Sequence, residues 1–236
     1  MMKTSTLSIT RRNDIIKTIM KSLVILSIML LTVSCARVPL YSVDIDYVTP
    51  LNKIRPADTS TKLSITVATF NDLRNVDDKM VIGKVMEANK LPIPILPKFH
   101  TPSVTVTRAV KGYLNKTGYT VSSRTPDWNL TDDSIEKEWG DIIIGGDIHE
   151  FELICVKERP VIRYRARVRL TAVFADVTQR ETKFKVNVES SPSLDHVRFT
   201  EGKMTEVMND ALAAAVNKLF ENEQVNQKIR AIAKEK

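Results

Sequence analysis

The fold is decided by two neighbouring stretches, DIIIGGDIHEFELICV at residues 141–156 and VIRYRARVRLTAVFADV at residues 161–177. Apolar and polar side chains alternate along them, which predicts two long β-strands. The connection between them is short, so the two strands form an antiparallel hairpin. A third strand at 182–190 follows another short connection and completes a meander. The parity of the apolar residues shifts across Gly145-Gly146, which predicts a β-bulge there.

Two helices flank this meander in the sequence. The first begins at the cap Thr101-Pro102 and ends at Gly118, with one apolar stripe between them. The second has apolar residues at helical spacing from Met204 to Leu219. The order of elements predicts an α+β fold, with a mostly antiparallel sheet, two helices packed on one face and the other face exposed to water. Further strands are expected at 63–70 and 119–122, and a weaker edge strand at 41–48.

The N-terminus has the three parts of a secretory signal peptide. A basic start precedes an apolar run at 23–33 and the small residue Ser34. The run is about half as long as a membrane-spanning helix, so we expect cleavage instead of a permanent span. The sequence LTVSC at 31–35 resembles the lipobox of bacterial lipoproteins. This resemblance implies acylation of Cys35 and a periplasmic, lipid-anchored location, at the outer membrane because Ala36 and not Asp follows the cysteine.

The chain is expected to divide into four parts. Residues 1–34 are the signal peptide, and residues 35–61 contain scattered prolines and form a lipidated tether. Residues 62–220 form a single α+β periplasmic domain. Residues 221–236 form a charged helical tail.

Composition argues against a nucleic-acid-binding protein and against a disulfide framework. Removing the signal peptide lowers Lys+Arg from 35 to 30 and Asp+Glu from 28 to 27, so the net charge falls from +7 to +3. Nucleic acid is therefore not an expected partner. The cysteine that remains after acylation, Cys155, has no disulfide partner and lies among apolar residues, so we expect a buried structural thiol.

Arginine occupies every second position in the middle strand, on the face away from the core. Such a surface can bind phosphates or carboxylates through bidentate contacts. The alternative is a solvated face of cross-strand ion pairs. The expected hairpin sets Glu152 opposite Arg165, with Glu150 opposite the next arginine, and the third strand sets Glu189 opposite Arg169. The candidate interaction surface comprises Arg163, Arg165, Arg167, Arg169, Lys183 and Lys185.

A second candidate site lies in the long irregular connection at 71–100, which contains three prolines. Loops of this length in a compact domain are usually functional or mobile. We therefore expect a partner site here, at Asp72, Arg74 and Gly83. The acidic residues of the loop do not have the spacing of a calcium site.

Residues for catalysis or metal binding are not grouped in the sequence. His100, His149 and His196 are far apart, without a second ligand at metal spacing. Ser193 and Asp195 stand beside the last histidine, but neighbours on a polar loop rarely converge as a catalytic triad. We expect neither an enzyme nor a metal or cofactor, apart from the lipid on Cys35.

Several motifs resemble YajG-type bacterial lipoproteins and, more loosely, the auxiliary lipoproteins of lipid-transporting ABC systems. This resemblance covers residues from about 63 to 220 and implies fold and location more than activity. The matching segments are the lipobox at Cys35, FNDLR at 70–74, Ile82-Gly83, LNKTGYTV at 114–121 and DIIIGGDI at 141–148.

The order of elements also resembles the periplasmic core of CsgG-type secretion channel subunits. Members of that family insert membrane hairpins, whose strands need about ten residues of alternating pattern. The connections at 157–160 and 178–181 are too short for such hairpins. The sequence therefore favours a noncatalytic, membrane-anchored binding or scaffold module of the cell envelope, with a protein partner or an envelope component as ligand. The alternative is a subunit of an outer-membrane secretion or transport complex.

Replacing the acylated cysteine tests the anchor. We expect Cys35→Ala to abolish incorporation of labelled palmitate and to move the protein from the membrane fraction to the soluble fraction. The physical reason is that each buried CH₂ of an acyl chain contributes about 0.8 kcal/mol to membrane binding. Cys155→Ala is the matched control and should keep both the label and the membrane association. A Cys35→Ala protein that stays in the membrane fraction would contradict the lipobox interpretation.

Overall fold

The chain divides into two compact units, Met1–Pro39 and Leu40–Lys236, and the elements below belong to the second. Its described part contains one sheet of ten strands together with three helices. The computed structural model describes residues 20–21, 39–48, 63–158 and 160–234. The strands are β1 Tyr41–Val43, β2 Ser64–Val67, β3 Asn71–Asp72, β4 Gly83–Glu87, β5 Ile93–Pro97, β6 Thr120–Val121, β7 Ile142–Glu158, β8 Val161–Asp176, β9 Glu181–Ser190 and β10 Ser193–His196. The helices are α1 Pro102–Thr117, α2 Glu201–Glu221 and α3 Glu223–Lys234.

The hairpin of β7 and β8 is the centre of the sheet, as the alternating sequence predicts. These strands pair antiparallel along their whole length, from Ile142 opposite Asp176 to Glu158 opposite Val161. Beyond β8, the sheet continues with β9 along one half of the strand and with β10 along the other.

The other edge of β7 is covered by three short strands in succession. All three run parallel to it: β2 pairs at Ile142–Ile144, β3 at Asp147–Ile148 and β4 at Leu153–Lys157. β6 extends the sheet from β2, while β5 and then β1 extend it from β4. The α+β class is confirmed, but the sheet is mixed, because these parallel pairings join the antiparallel meander.

The long connection at 71–100 is more ordered than its sequence suggests. It contains β3, β4 and β5, and β4 and β5 form an antiparallel hairpin with Asn89 in the left-handed conformation near its tip. β5 was not predicted because it contains two prolines: its sequence from Ile93 is Ile-Pro-Ile-Leu-Pro. Proline is tolerated there because β5 pairs only over short stretches with each neighbour. The prediction of an irregular loop was therefore wrong for this segment.

The bulge lies three residues beyond Gly146, not at the predicted Gly145-Gly146. The register shifts at His149, between Ile148 and Glu150, while Gly145 and Gly146 are paired regularly. The glycines are required by close packing instead: a Cβ on Gly146 would lie 2.1 Å from the carbonyl oxygen of Thr171.

The main core lies between one face of the sheet and the helices. α1 begins at Thr101, whose hydroxyl accepts a hydrogen bond from the Val104 amide, and ends at Gly118 with φ of 96°. α2 buries Met204, Met208 and the apolar residues that follow them at helical spacing. The boundaries of α1 lie where its capping residues predict, and α2, predicted from its apolar spacing, extends from Glu201 to Glu221.

A third helix continues the core beyond α2. α2 ends before Asn222, and α3 begins directly after it. The three large apolar residues of α3 are buried, with less than 5% exposed. The side-chain amide of Asn226 donates to the Phe220 carbonyl across the junction of the two helices. The tail is helical as predicted, and its apolar side packs in the core. This side comprises Val225, Ile229 and Ile232.

The face of the sheet opposite the helices is not entirely exposed to water, contrary to prediction. Trp128, Ile135 and Trp139 cover it at one end. The covering segment is tied down by Arg180, which donates from Nε and Nη2 to the Ile135 carbonyl at 2.8 and 2.6 Å. A Cβ on Gly145 would lie 2.8 Å from the Trp128 ring, so this glycine makes room for the indole. The sheet residues beneath are Ala68, Ile143, Val173, Ala175 and Val177.

Within the described residues, none of the helices combines the length and apolar character required to cross a bilayer.

Truncation of the central indole tests this second core. We expect Trp128→Ala to lower the free energy of unfolding by about 3–5 kcal/mol, because it leaves a cavity over the sheet. Urea denaturation followed by circular dichroism measures the change. Lys137→Ala, in the same segment and exposed, should change the free energy by less than about 0.5 kcal/mol. Equal effects of the two substitutions would show that the indole contributes no packing.

Candidate functional site

The candidate site is built around a gap in the pairing along one edge of β7. β3 leaves this edge after Ile148 and β4 joins it at Leu153. The Leu73 amide donates to the Ile148 carbonyl and the Leu153 amide donates to the Ile82 carbonyl, at the two ends of the gap. Between them, the guanidinium of Arg74 donates to the Phe151 carbonyl at 3.3 Å. An arginine side chain thus replaces a missing stretch of strand.

Arg74 is only 4% exposed, and its donors all lead back into the protein. Nε and Nη2 donate to the two carboxylate oxygens of Asp72 at 2.9 and 2.7 Å. Nη1 also donates to the Val81 carbonyl at 3.0 Å, and Nη2 to the Lys79 carbonyl at 2.6 Å. The guanidinium closes the loop from residue 73 to 82 onto β7, and few of its donors remain for a ligand.

Asp72 holds this arrangement as an anion. Partial burial opposes ionisation, but the hydrogen bonds from Arg74 outweigh it and lower the pKa of Asp72 below its ordinary value of 3.8. The nearby ammonium of Lys79, 3.7 Å away, acts in the same direction. The pair is bidentate and partly shielded from water, which is the geometry in which an ion pair contributes most to stability.

Gly83 has a steric role at the start of β4. A Cβ there would lie 1.9 Å from the Leu153 carbonyl oxygen, so only glycine allows β4 to approach β7. Asp72, Arg74 and Gly83, predicted together from the loop, are thus brought together by the fold. Arg74 and Gly83 line one wall of a site, and Asp72 holds Arg74 in place beside it.

That wall encloses a groove of about 480 Å³ on the outer face of the sheet. Its apolar part comes from the loop and from the β4–β5 hairpin, with Val76 41% exposed. Its charged part comes from Lys84 and from the strand residues around the bulge at His149. Other residues that line the groove include Pro92, Pro94, Glu150, Glu152 and Arg169.

The arginine row, formed by the four arginines from Arg163 to Arg169 on β8, borders the groove at Arg169. Its Nη2 lies 2.7 Å from Glu150, and the same carboxylate accepts from Arg167 at 3.3 Å. Arg167 is also 3.9 Å from Glu189. All of these side chains are at least 29% exposed, so each pair contributes about 0–1 kcal/mol and a competing ligand can replace it.

The predicted register of this face was wrong by two residues along β7. Glu152 lies opposite Arg167, not Arg165, and Ile154 lies opposite Arg165. The turn is tighter than predicted, because β7 continues to Glu158 and β8 begins at Val161. The predicted pairing of Glu189 with Arg169 across β8 and β9 is correct.

The other cations of the predicted surface lie away from the groove. Arg163 pairs with Asp195 of β10 at 3.1 Å. Arg165 is exposed and has no ion-pair partner among the residues that the structure describes. Lys183 pairs with Glu181 at 2.6 Å. Lys185 lies opposite Val173, beside the second core and not beside the groove.

Other residues considered for chemistry are separated or occupied. β10, a strand that the sequence did not reveal, contains Ser193, Asp195 and His196. Ser193 and Asp195 lie on one face of this strand and His196 on the other. Cys155 is fully buried, and this burial raises the pKa of its thiol to about 12. No group of three metal-binding side chains occurs in the described part of the chain. The predicted acylation site, Cys35, lies outside the described residues.

Sequence reasoning missed several residues of the groove. Lys84 and His149 were absent from the candidate set, although the parity shift in β7 pointed to the region of the bulge. Pro92 and Pro94 were noted only as marks of an irregular loop. Lys84, His149, Pro92 and Pro94 come together only because β4 pairs with β7 in the folded chain.

Solved structures show that this fold occurs elsewhere. Protein XCC0632 from Xanthomonas campestris, described under the family model DUF330, aligns over 82% of this chain and 99% of its own, with 10% identity and a TM-score of 0.51. PelC from Paraburkholderia phytofirmans, solved as a dodecamer, aligns over 69% of this chain and 92% of its own, with 11% identity and a TM-score of 0.38. Lipoprotein GNA1162 from Neisseria meningitidis aligns over 68% and 99%, with 10% identity and a TM-score of 0.37.

Of these three similarities, the one to XCC0632 shows a shared fold, and it shows the fold alone. No protein-family model and no curated protein matches the sequence.

Removing the charge of Asp72 tests the pairing that closes the gap. We expect Asp72→Asn to lower the free energy of unfolding by about 2 kcal/mol at neutral pH, because Arg74 loses its charge-assisted hydrogen bonds. The folded state lowers the pKa of Asp72, so this stabilisation is complete above about pH 4 and is lost as the pH falls through the lowered pKa.

Denaturation of both proteins across this pH range measures the difference. Asp77→Asn, an exposed acidic residue of the same loop, is the matched control and should have little effect at any pH. A difference between wild type and Asp72→Asn that persisted unchanged in strong acid would contradict the assignment.

Proposed function

We propose that this protein is a noncatalytic lipoprotein of the bacterial cell envelope, anchored on the periplasmic side of the outer membrane through acylated Cys35. It binds a segment of a partner protein in the groove between the β4–β5 hairpin and the outer face of β7 and β8. The observation that carries this proposal is the meeting of an apolar wall and charges of both signs in one open groove.

The apolar wall supplies affinity for side chains of the partner. Val76 and Pro92 are exposed at its rim. Peptide-binding grooves generally combine such apolar contacts with a few placed polar groups that fix orientation.

The charged wall supplies specificity. Glu152 and Lys84 are exposed and have no ion-pair partners among the described residues. Arg169 shares Glu150 with Arg167, so a carboxylate of the partner can take over one of the two arginines. A partner segment with both an acidic and a basic side chain complements this arrangement.

The lining supports binding more than catalysis. It contains no serine, threonine or cysteine among the described residues that border the groove. His149 Nε2 lies 2.7 Å from the Thr171 hydroxyl, which is also 2.7 Å from the Asn187 side-chain oxygen. The imidazole is thus held by the sheet, and the neighbouring Glu150 is held by two arginines.

A photocrosslinking amino acid at Val76 tests the groove in living cells. We expect a discrete adduct with one envelope protein, and we expect Arg169→Glu to reduce it about tenfold through loss of charge complementarity. Arg163→Glu is the matched control, because it reverses a similarly exposed arginine on the same strand outside the groove. It should leave the adduct unchanged.

Equal loss of the adduct in both variants would point to general repulsion from the arginine row and would contradict a groove-specific partner. Crosslinks to lipopolysaccharide or peptidoglycan alone would replace the protein partner by an envelope component.

A further inference from the structure

The polypeptide enters the folded unit very soon after the proposed anchor. Leu40 is five residues from Cys35, and a fully extended chain of that length spans at most about 18 Å. β1 begins at the next residue and is hydrogen-bonded into the sheet beside β5. Although residues 35–61 were predicted to be a tether, the connection from Cys35 to the sheet is therefore short. The end of the sheet at which β1 begins must lie close to the bilayer.

A fixed cluster identifies this end. The ammonium of Lys157 lies 2.6 Å from Glu87, 3.3 Å from the Tyr41 hydroxyl and 3.6 Å from the centre of the Phe199 ring. The rings of Tyr41 and Phe199 meet edge to face with centroids 5.1 Å apart. The start of β1, the end of β4, the end of β7 and the segment before α2 therefore converge here.

Large apolar side chains project from the segments that surround this cluster. Leu40 is 54% exposed, Leu91 is 87% exposed and Val197 is 71% exposed. Each of them lies one to four residues from a member of the cluster. Single exposed apolar residues are ordinary, but several gathered at one end of a domain are typical of an interaction surface.

Basic side chains accompany these apolar residues. Lys90 lies beside Leu91 with 65% of its side chain exposed, and Arg198 follows Val197 and is exposed. Acidic residues among the described part of this end include Glu87, which is bound to Lys157 and Lys90, the exposed Glu158, and Asp195, which pairs with Arg163. Apolar side chains flanked by cations are the combination that adsorbs to anionic lipid headgroups.

We propose that this end of the sheet, an entry face formed by Leu40, Leu91, Val197, Lys90 and Arg198, rests on an anionic lipid bilayer. The inference depends on the proposed function, because it requires acylation of Cys35. It also orients the groove: His149 is eight residues from Lys157 along β7, which places it about 25 Å farther from the bilayer. The groove is then open to a partner in the periplasm.

Depth-dependent fluorescence quenching tests the entry face. The mature, acylated full-length protein is purified from membranes and reconstituted into vesicles of phosphatidylethanolamine and phosphatidylglycerol. Bimane is attached at Leu91→Cys or Val197→Cys. The control, Thr178→Cys, lies at the opposite end of the sheet, between β8 and β9. Native Cys155 stays unlabelled, because burial keeps its thiol protonated and inaccessible.

Quenching by nitroxide-labelled lipid is the readout. We expect it to be about twofold or more stronger at residues 91 and 197 than at residue 178, since adsorbed apolar side chains enter the headgroup region. Adding Leu91→Glu to the Val197 probe should weaken its quenching. Equal or weaker quenching at residue 91 than at residue 178 would overturn the entry face. Quenching that is unchanged in phosphatidylcholine vesicles would overturn the contribution assigned to Lys90 and Arg198.

Sedimentation of the same vesicles separates this inference from the proposed function. Protein that sediments with the vesicles without quenching at residue 91 is anchored, and only the entry face is then wrong. Protein that does not sediment with them lacks the anchor, and both proposals are then wrong.

Discussion

A strand of seventeen residues must satisfy its backbone hydrogen-bonding groups along both edges, and the rest of this structure depends on how β7 meets that requirement. β8 satisfies one edge along the whole length. On the other edge, three short strands that follow one another between residues 64 and 87 run parallel to β7. Where they leave a gap, the guanidinium of Arg74 donates a hydrogen bond to the Phe151 carbonyl. The fold is therefore organised around one hairpin whose second edge is assembled in pieces.

The groove is a direct consequence of that gap. β3 and β4 cannot be continuous, because the loop between them must carry Arg74 into the sheet edge and then return at Gly83. The loop and the β4–β5 hairpin consequently stand beside the outer face of the sheet. The bulge at His149 lies within the same interval, where the ladder with β8 is also irregular. Bulges commonly lie next to binding sites for this reason, since they re-aim side chains out of the regular pleat.

Burial divides the outer face of the sheet into areas with different roles. One end is covered by Trp128 and its neighbours and contributes to stability. The middle carries Arg167 and Arg169, whose ion pairs are exposed and weak enough for a ligand to exchange. Beyond these areas, on the opposite face of the sheet, the Lys157 cluster closes the main core with an ammonium over two aromatic rings. A single alternating strand, β8, thus contributes to a core, a groove and an exposed edge.

The sequence by itself determined the elements that local chemistry specifies. The caps at Thr101 and Gly118, the apolar spacing of α2 and the alternation of β8 each act within a few residues, so the helices and the central hairpin could be predicted. It also selected Asp72, Arg74 and Gly83, although it could not assign their roles. The register opposite Arg165, the bulge at His149 and the strands hidden by prolines were decided only by tertiary structure. The groove was also decided only by tertiary structure, because its two walls are about seventy residues apart in the chain. They meet only when the backbone hydrogen-bonding groups of β7 are satisfied.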